Sequence, residues 1–292
     1  MVLDNYKRML DKFALSTPPY PDGRFDGRGV VICAGGEKYL RNAWVCVNML
    51  RHVNCSLPVE LWYIGEGERV PKMMDLFPDI GVTLVDAERV REIYPTRRLG
   101  GWEIKPFAVI NSPFKDVLLL DADNVVVRDP EYLFDTYQFR TLGSVFWQDI
   151  CHFRKDSEIW PVTGIPYRKV WEFESGQLMV DKKKCWRSLM IAMHMNEHSD
   201  YYYRHIHGDK ETYNFAWMYT KQVFGMPPTP PFVMMSGKQF VGFKHADFVG
   251  DWVFQHRIGS KWEYEKNVRC PVFEHEDVCV AFAEDLRSRM AK

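Results

Sequence analysis

The chain lacks the features that would place it in a membrane or on nucleic acid. No run reaches the roughly 18 apolar residues that a bilayer span requires, and the stretch 1–29 has no apolar core flanked by basic residues, as a secretory leader would. Charge of one sign is not in excess: 38 Lys and Arg stand against 39 Asp and Glu, a formal −1. No global basic field therefore argues for nucleic acid or an acidic membrane surface. The seven cysteines (Cys33, Cys46, Cys55, Cys151, Cys185, Cys270 and Cys279) are odd in number and form no CxxC pair. That favours buried thiols in a reduced chain over a disulfide framework. The nine histidines show no spacing that compels a zinc site, and there is no internal repeat or low-complexity tract.

What is present fits a globular α/β protein. The 292 residues suffice for one large domain or two small ones, with 46 % hydrophobic and 26 % charged residues. Aromatics, at 15 %, are on the high side; they line sugar and base pockets, and they also fill large cores. An amphipathic helix and a Pro/Gly-rich linker occupy 1–28. The apolar run 29–34 reads as a buried strand that breaks at Gly35-Gly36, followed by a helix over 37–51. Strands are predicted at 58–65, 81–86 and 116–121, with a helix over 102–111. The second half is less regular, with strands at 141–147, 176–181 and 239–244 and helices at 183–197 and 209–220. Strands alternating with helices predict a largely parallel sheet covered on both faces. Ligands in such sheets bind beyond the carboxyl ends of the strands, where Gly35-Gly36 and Asp121 fall. The expected organisation is a single domain, with a nucleotide-sugar-binding half over 29–130 and an acceptor half with a C-terminal metal and phosphate segment over 131–292.

The strongest local signal is Leu118-Leu119-Leu120-Asp121-Ala122-Asp123-Asn124. A buried strand ends abruptly in two carboxylates one residue apart, and these repel unless something positive sits between them. Mn²⁺ or Mg²⁺ takes oxygen ligands and can bridge carboxylates to a diphosphate. A solvated turn is the bland alternative, since Asp and Asn form turns readily. His256 is the candidate third ligand and His245 the second choice. Gly259 permits close backbone approach and Lys261 offers a point charge for phosphates. Ala34, Gly35 and Tyr39 make a candidate floor for base and ribose, and Lys105 lies just upstream of the acidic strand. The polar clusters Trp147-Gln148-Asp149, Glu174-Ser175-Gly176-Gln177 and His207-Gly208-Asp209-Lys210 could hold sugar hydroxyls or be turns and caps, with Asp209 reading as a helix N-cap.

In order and spacing, these segments resemble the fungal Golgi α-mannosyltransferases over roughly residues 29–220. The carrying residues are Ala34-Gly35-Gly36 through Ala43, Ile104-Lys105-Pro106, Phe114 through Pro130, Phe146-Trp147-Gln148-Asp149, Glu174-Ser175-Gly176-Gln177 and His207 through Thr212. The chain is also distantly similar to the glycogenin and galactosyltransferase group, whose metal histidine lies in a His-x-x-Gly-x-x-Lys segment. Here that segment, His256 to Lys261, is one residue shorter before the lysine. The fungal enzymes also tend to have proline where Gln148 stands, and they carry a membrane anchor and luminal stem.

The resemblance implies a GT-A fold, an α/β architecture with a Rossmann-like mixed sheet flanked by helices. It also implies a GDP- or UDP-hexose donor, a glycan acceptor, a divalent cation and retention of anomeric configuration. The cation would sit on Asp121, Asp123 and His256. Ala34, Gly35, Tyr39, Lys105, Asp121, Ala122, Asp123, Ser175, Gly176, Gly259 and Lys261 would bind the donor. Gln177, Asp209 and Asp149 would lie near the anomeric carbon and acceptor hydroxyl, with front-face attack and double displacement both open. Without an anchor the expected location is cytoplasmic, the alternative being a soluble luminal domain of a secretory-pathway enzyme. Two rival functions are a sugar-nucleotide nucleotidyltransferase, for which Cys33-Ala34-Gly35-Gly36-Glu37-Lys38 is only a partial glycine-rich loop, and a non-catalytic glycan-binding protein. A glycoside hydrolase is disfavoured, because acids one residue apart cannot flank a sugar.

Overall fold

The central strands are apolar at consecutive positions, so both faces of the sheet must be covered. The computed structural model describes residues 2–262 and 269–291. Strands β1 (Arg28–Cys33), β2 (Val59–Tyr63), β3 (Val82–Asp86), β4 (Asp116–Asp121), β6 (Ser144–His152) and β7 (Trp171–Asp181) form one sheet in the order β3-β2-β1-β4-β7-β6. The first four run parallel; β7 is antiparallel to β4, and β6, antiparallel to β7, returns to the direction of the first four, which makes the sheet mixed. A second, antiparallel sheet has the order β5-β10-β9-β8, from β5 (Asn124–Val126), β8 (Phe232–Ser236), β9 (Gln239–Ala246) and β10 (Trp252–His256).

Alternate residues of each central strand enter different cores. Val30, Ile32, Leu118 and Leu120 pack with the helix Gly36–His52 and with Cys279 and Leu286 of the helix Glu276–Met290. Val31, Val117 and Leu119 pack on the opposite face, against the helices Ile104–Asn111, Lys182–Glu197 and Asp209–Thr220. Each such aliphatic side chain contributes about 1.5–3 kcal/mol when fully buried.

Several expectations need correction. The segment 141–147 is not a single strand: a helix Tyr137–Leu142 ends at Gly143, in the left-handed region at φ 78°, and β6 begins after it. Asp209 is the first residue of its helix, not the cap. Gly208 is the N-cap, and its N–H donates to the Glu211 carboxylate at 3.0 Å. Strands β5, β8 and β10 and the helix Glu276–Met290 were not read from the sequence. No helix among the described residues is long and apolar enough to cross a membrane.

Candidate functional site

Strand β4 ends at Asp121, turns through Ala122 and Asp123, and enters β5 at Asn124. The chain thus presents two carboxylates while crossing from the large sheet into the small one. Strand β10 pairs with β5 so that His256 lies opposite Asn124, which brings the imidazole to the aspartates. His256 Nε2 is 3.4 Å from Asp123 Oδ1 and 3.7 Å from Asp121 Oδ2. Ligand atoms of these three residues all lie within 4.8 Å of one another, close enough to hold one metal ion.

A further carboxylate orients the histidine. Glu174 on β7, itself buried, lies 2.8 Å from His256 Nδ1 through Oε1 and accepts the Gly176 N–H at 2.8 Å through Oε2. Fixing Nδ1 in this way leaves Nε2 for the aspartates. Gly176 has no room for a side chain, because a Cβ there would stand 2.5 Å from His256 Nδ1 and 2.7 Å from Glu174 Oε2. His245 lies behind Glu174, at 3.7 Å from Oε2, and is not part of the three-residue group.

Two lysines face the same acids. Lys105 Nζ is 2.6 Å from Asp121 and 3.7 Å from Asp209, and Lys261 is ion-paired with Asp123. The shorter His-to-Lys spacing therefore still delivers Lys261 to the cluster. Burial disfavours every charge here, and the partners decide the outcome. Burial would raise Asp123, yet His256 and Lys261 hold it well below the usual carboxylate range. Burial likewise works against Glu174, which His256 and His245 bring down to about 2. Burial opposes the charged imidazole of His256, but Glu174 and Asp123 hold it protonated well above the ordinary range. For Lys105, burial is outweighed by Asp121 and Asp209, and its pKa is raised. Asp209 is pushed up to about 6 by burial, against the pull of Lys105.

Two adjoining cavities meet at this cluster. The first, of about 200 Å³, is lined by Ala34, Gly35, Tyr39, Trp62, Glu68, Trp102, Lys105, Asp121, Ala122, Asp123 and Lys261. The second, of about 220 Å³, shares Trp102, Lys105, Asp121 and Lys261 with it and adds Asp149, Glu174, Ser175, Asp209, Lys210, Phe243, His256 and Ile258. The structure thus brings together most of the residues singled out in the sequence, with three exceptions. Gln177 is fully buried, accepts from the Asn124 amide at 2.6 Å and lines neither cavity. Gly259 also lines neither; a Cβ there would stand 2.4 Å from the Phe240 carbonyl, so the glycine serves a close backbone crossing. Gly176 acts through the space it leaves for His256. Sequence reasoning named Glu174 only within a cluster that could hold sugar hydroxyls, not as the partner of His256, and gave Trp102 no role. Their signals were an acid inside a buried strand and a tryptophan after Gly100-Gly101.

A nucleotide-binding type of α/β sheet with an acidic strand end is the framework of GT-A glycosyltransferases, and the fold agrees. The galactosyltransferase LgtC, solved with donor and acceptor sugar analogues, superposes at TM-score 0.53 with 12 % identity, covering 89 % of this chain and 99 % of that one. The glycosyltransferase GlyE of Streptococcus pneumoniae, in its apo form, gives 0.51 with 15 % identity over 91 % of this chain and 63 % of its own. The chain belongs to the family described as "Mannosyltransferase putative", matched over residues 27–164 and 166–236. Among curated proteins, the α-1,2-mannosyltransferase MNN21 of Candida albicans is 30 % identical over 146 residues, 44 % of this chain and 21 % of that protein. MNN2 of Saccharomyces cerevisiae is 24 % identical over 290 residues, 82 % of this chain and 48 % of its own. The chain thus spans less than half the length of these relatives.

The relatives correct one expectation. Cytoplasmic placement conflicts with kinship to fungal mannosyltransferases, which are secretory-pathway enzymes. The second expectation, a luminal domain, agrees with that kinship.

Proposed function

We propose that the chain is a metal-dependent, retaining glycosyltransferase that moves a hexose from a nucleoside diphosphate sugar to a glycan hydroxyl. GDP-mannose is the first donor to test, because the relatives are α-1,2-mannosyltransferases, and UDP-hexoses are the comparison. The observation that carries the reading is the Asp121, Asp123 and His256 group at the junction of two cavities. Two carboxylate oxygens and an imidazole nitrogen are a donor set suited to Mn²⁺, or to Mg²⁺ with more of its own water. The charge count supports a divalent cation: Asp121, Asp123 and Asp209 face the ammonium groups of Lys105 and Lys261 while Glu174 pairs with His256, and four carboxylates against two ammonium groups leave two negative charges once a cation displaces the His256 proton.

A bound cation would supply charge stabilisation for the departing diphosphate. The other work falls to side chains. Lys105 and Lys261 face both cavities and are positioned to bind phosphate oxygens. Glu174 fixes the orientation of His256. Ala34 and Gly35 keep the first cavity open for base and ribose, beside Tyr39. In the second cavity each carboxylate already has a cationic partner: Asp149 has Lys210, Asp121 and Asp209 share Lys105, and Glu174 has His256. Front-face attack steered by the leaving phosphate is the route we adopt, because it needs none of these carboxylates to leave its partner.

The test is donor turnover with and without Mn²⁺, in wild type and Asp123→Ala. A loss of about a hundred-fold or more is expected in the variant. Undiminished turnover in the variant or in chelator refutes the metal role. A β-linked product by NMR refutes retention, and a glycosylated protein mass refutes the front-face route.

A further inference from the structure

The second cavity is small and its lysines are already paired. At about 220 Å³ it falls below the roughly 300 Å³ at which pockets begin to enclose a drug-sized ligand. It therefore takes about one sugar unit, and any longer acceptor must continue over the surface. Lys210 is held by Asp149 at 2.6 Å and Glu172 at 2.7 Å, and Lys105 and Lys261 are held by the acids of the cluster. Lys105 and Lys261 are assigned above to the donor phosphates, and Lys210, the remaining lysine of this cavity, is held between two carboxylates.

Two apolar features adjoin this space. Trp102 stands at the boundary of both cavities with 47 % of its surface exposed. Its ring lies against Gly208, where a Cβ would come within 2.8 Å of it, and 5.7 Å from the His207 ring. An exposed indole fixed in this way offers a flat apolar surface to the C–H face of a pyranose. On the other wall is Phe243 of β9. The β8–β9 register pairs Val233 with Phe243 and Met235 with Phe240, and the two phenylalanine rings are 5.0 Å apart. These four side chains share one face of the hairpin. Val233 and Met235 are 40 % and 42 % exposed, on the edge strand of the small sheet. Singly exposed apolar residues are ordinary, but a patch continuous with a binding cavity marks an interaction surface.

We propose that the reacting unit of the glycan acceptor stacks on Trp102 and that its next units run along the Phe243, Phe240, Val233 and Met235 face of the β8–β9 hairpin. This rests on the glycosyltransferase reading above. The other exit from the cavity, past His207 and Lys210 into a space of about 450 Å³ that includes Arg204, is polar and suits a charged extension.

The test uses the full chain, Mn²⁺ and the donor it turns over, with methyl α-mannoside, mannobiose and mannotriose as acceptors. The acceptor KM should fall about ten-fold from the monosaccharide to the trisaccharide. In the double variant Val233→Lys/Met235→Lys that ratio should collapse to within about two-fold of one, with a cooperative thermal melt showing that the variant is folded. Trp102→Ala should raise KM for all three acceptors and increase the fraction of donor lost to water. A KM independent of acceptor length, or a double variant that keeps the wild-type ratio, overturns the hairpin path. An Arg204→Ala variant that alone loses the length dependence assigns the acceptor to the polar exit instead. Absence of any donor turnover, hydrolysis included, overturns the glycosyltransferase reading and this inference with it.

Discussion

Glu174→Gln is the substitution that most directly probes how the cluster is built. Glutamine keeps the shape and an amide oxygen for the Gly176 N–H, but removes the charge that faces His256 Nδ1 at 2.8 Å. Loss of such a partner behind a metal-binding histidine typically costs ten- to hundred-fold in affinity, or about 1.4–2.8 kcal/mol. The effect should depend on pH, and the sign follows from the charges. In the wild type, Glu174 and Asp123 keep His256 protonated well above its ordinary range, so a cation must displace a proton. The variant imidazole releases its proton at lower pH, and proton competition weakens while ligand orientation worsens. The two effects oppose each other in acid; in alkali only the second remains. The ratio of Mn²⁺ dissociation constants, variant over wild type, should therefore rise between about pH 6 and about pH 8.5. Free Mn²⁺ can be followed by its paramagnetic resonance signal, with Asp123→Asn as the direct-ligand comparison. Equal affinity at all pH, or a ratio that falls as pH rises, would refute the assignment of Glu174 as the group that orients His256.

Three further outcomes are expected. Gly176→Ala forces a Cβ between His256 and Glu174; it should abolish measurable Mn²⁺ binding and lower stability by about 1–3 kcal/mol, and calorimetry showing wild-type binding would contradict this. His194 is buried with Nε2 unpartnered, its ring is stacked on Phe13 at 4.3 Å, and burial pushes its pKa down to about 4. The unfolded chain takes up this proton first, so stability falls as pH drops from about 6.5 towards 4. His194→Phe keeps the ring and removes the titration, and it should lose about 2 kcal/mol less than wild type between pH 7 and pH 5 in chemical denaturation. Lys182 is fully buried and donates to the Ser112 carbonyl at 2.6 Å, the Ser112 hydroxyl at 3.0 Å and the Ile110 carbonyl at 3.3 Å. It thereby satisfies the end of the helix that carries Lys105, and Lys182→Met should cost about 2–4 kcal/mol, read as a lower thermal midpoint.

What the sequence disclosed depended on how local the signal was. The Asp121-Ala122-Asp123 turn was legible because four apolar residues fix the strand and place its carboxyl end. The pairing of Glu174 with His256 was not, since it joins residues 82 positions apart and neither alone departs from an ordinary polar residue. Asp209 was misplaced as a cap because Asp is a common N-cap. The helix begins one residue earlier, where Glu211 reaches back to Gly208 and frees the Asp209 carboxylate for Lys105. Strand β5 has three residues and β10 five, too few for alternation to stand out. The helix Glu276–Met290 buries only Glu276, Cys279 and Leu286, a weak apolar stripe.

The short strands explain why the third candidate ligand comes from so far along the chain. Asp121 belongs to the large sheet, Asp123 to the crossing, and His256 to the small sheet. The backbone already ties the crossing to the segment after β10, since the Arg257 N–H donates to the Asp123 carbonyl at 3.0 Å. Gly242 and Gly259 admit backbone crossings that a Cβ would block, at 2.0 Å from the His256 carbonyl and 2.4 Å from the Phe240 carbonyl. The small sheet thus places a histidine, a lysine and the hairpin face around one strand end of the large sheet. A cation that binds this group in the folded chain alone would stabilise the junction of the two sheets by mass action. On the proposed reading, metal binding and the acceptor wall would both follow from the same packing, because β9, which carries Phe243 and His245, is hydrogen-bonded to β10, which ends in His256.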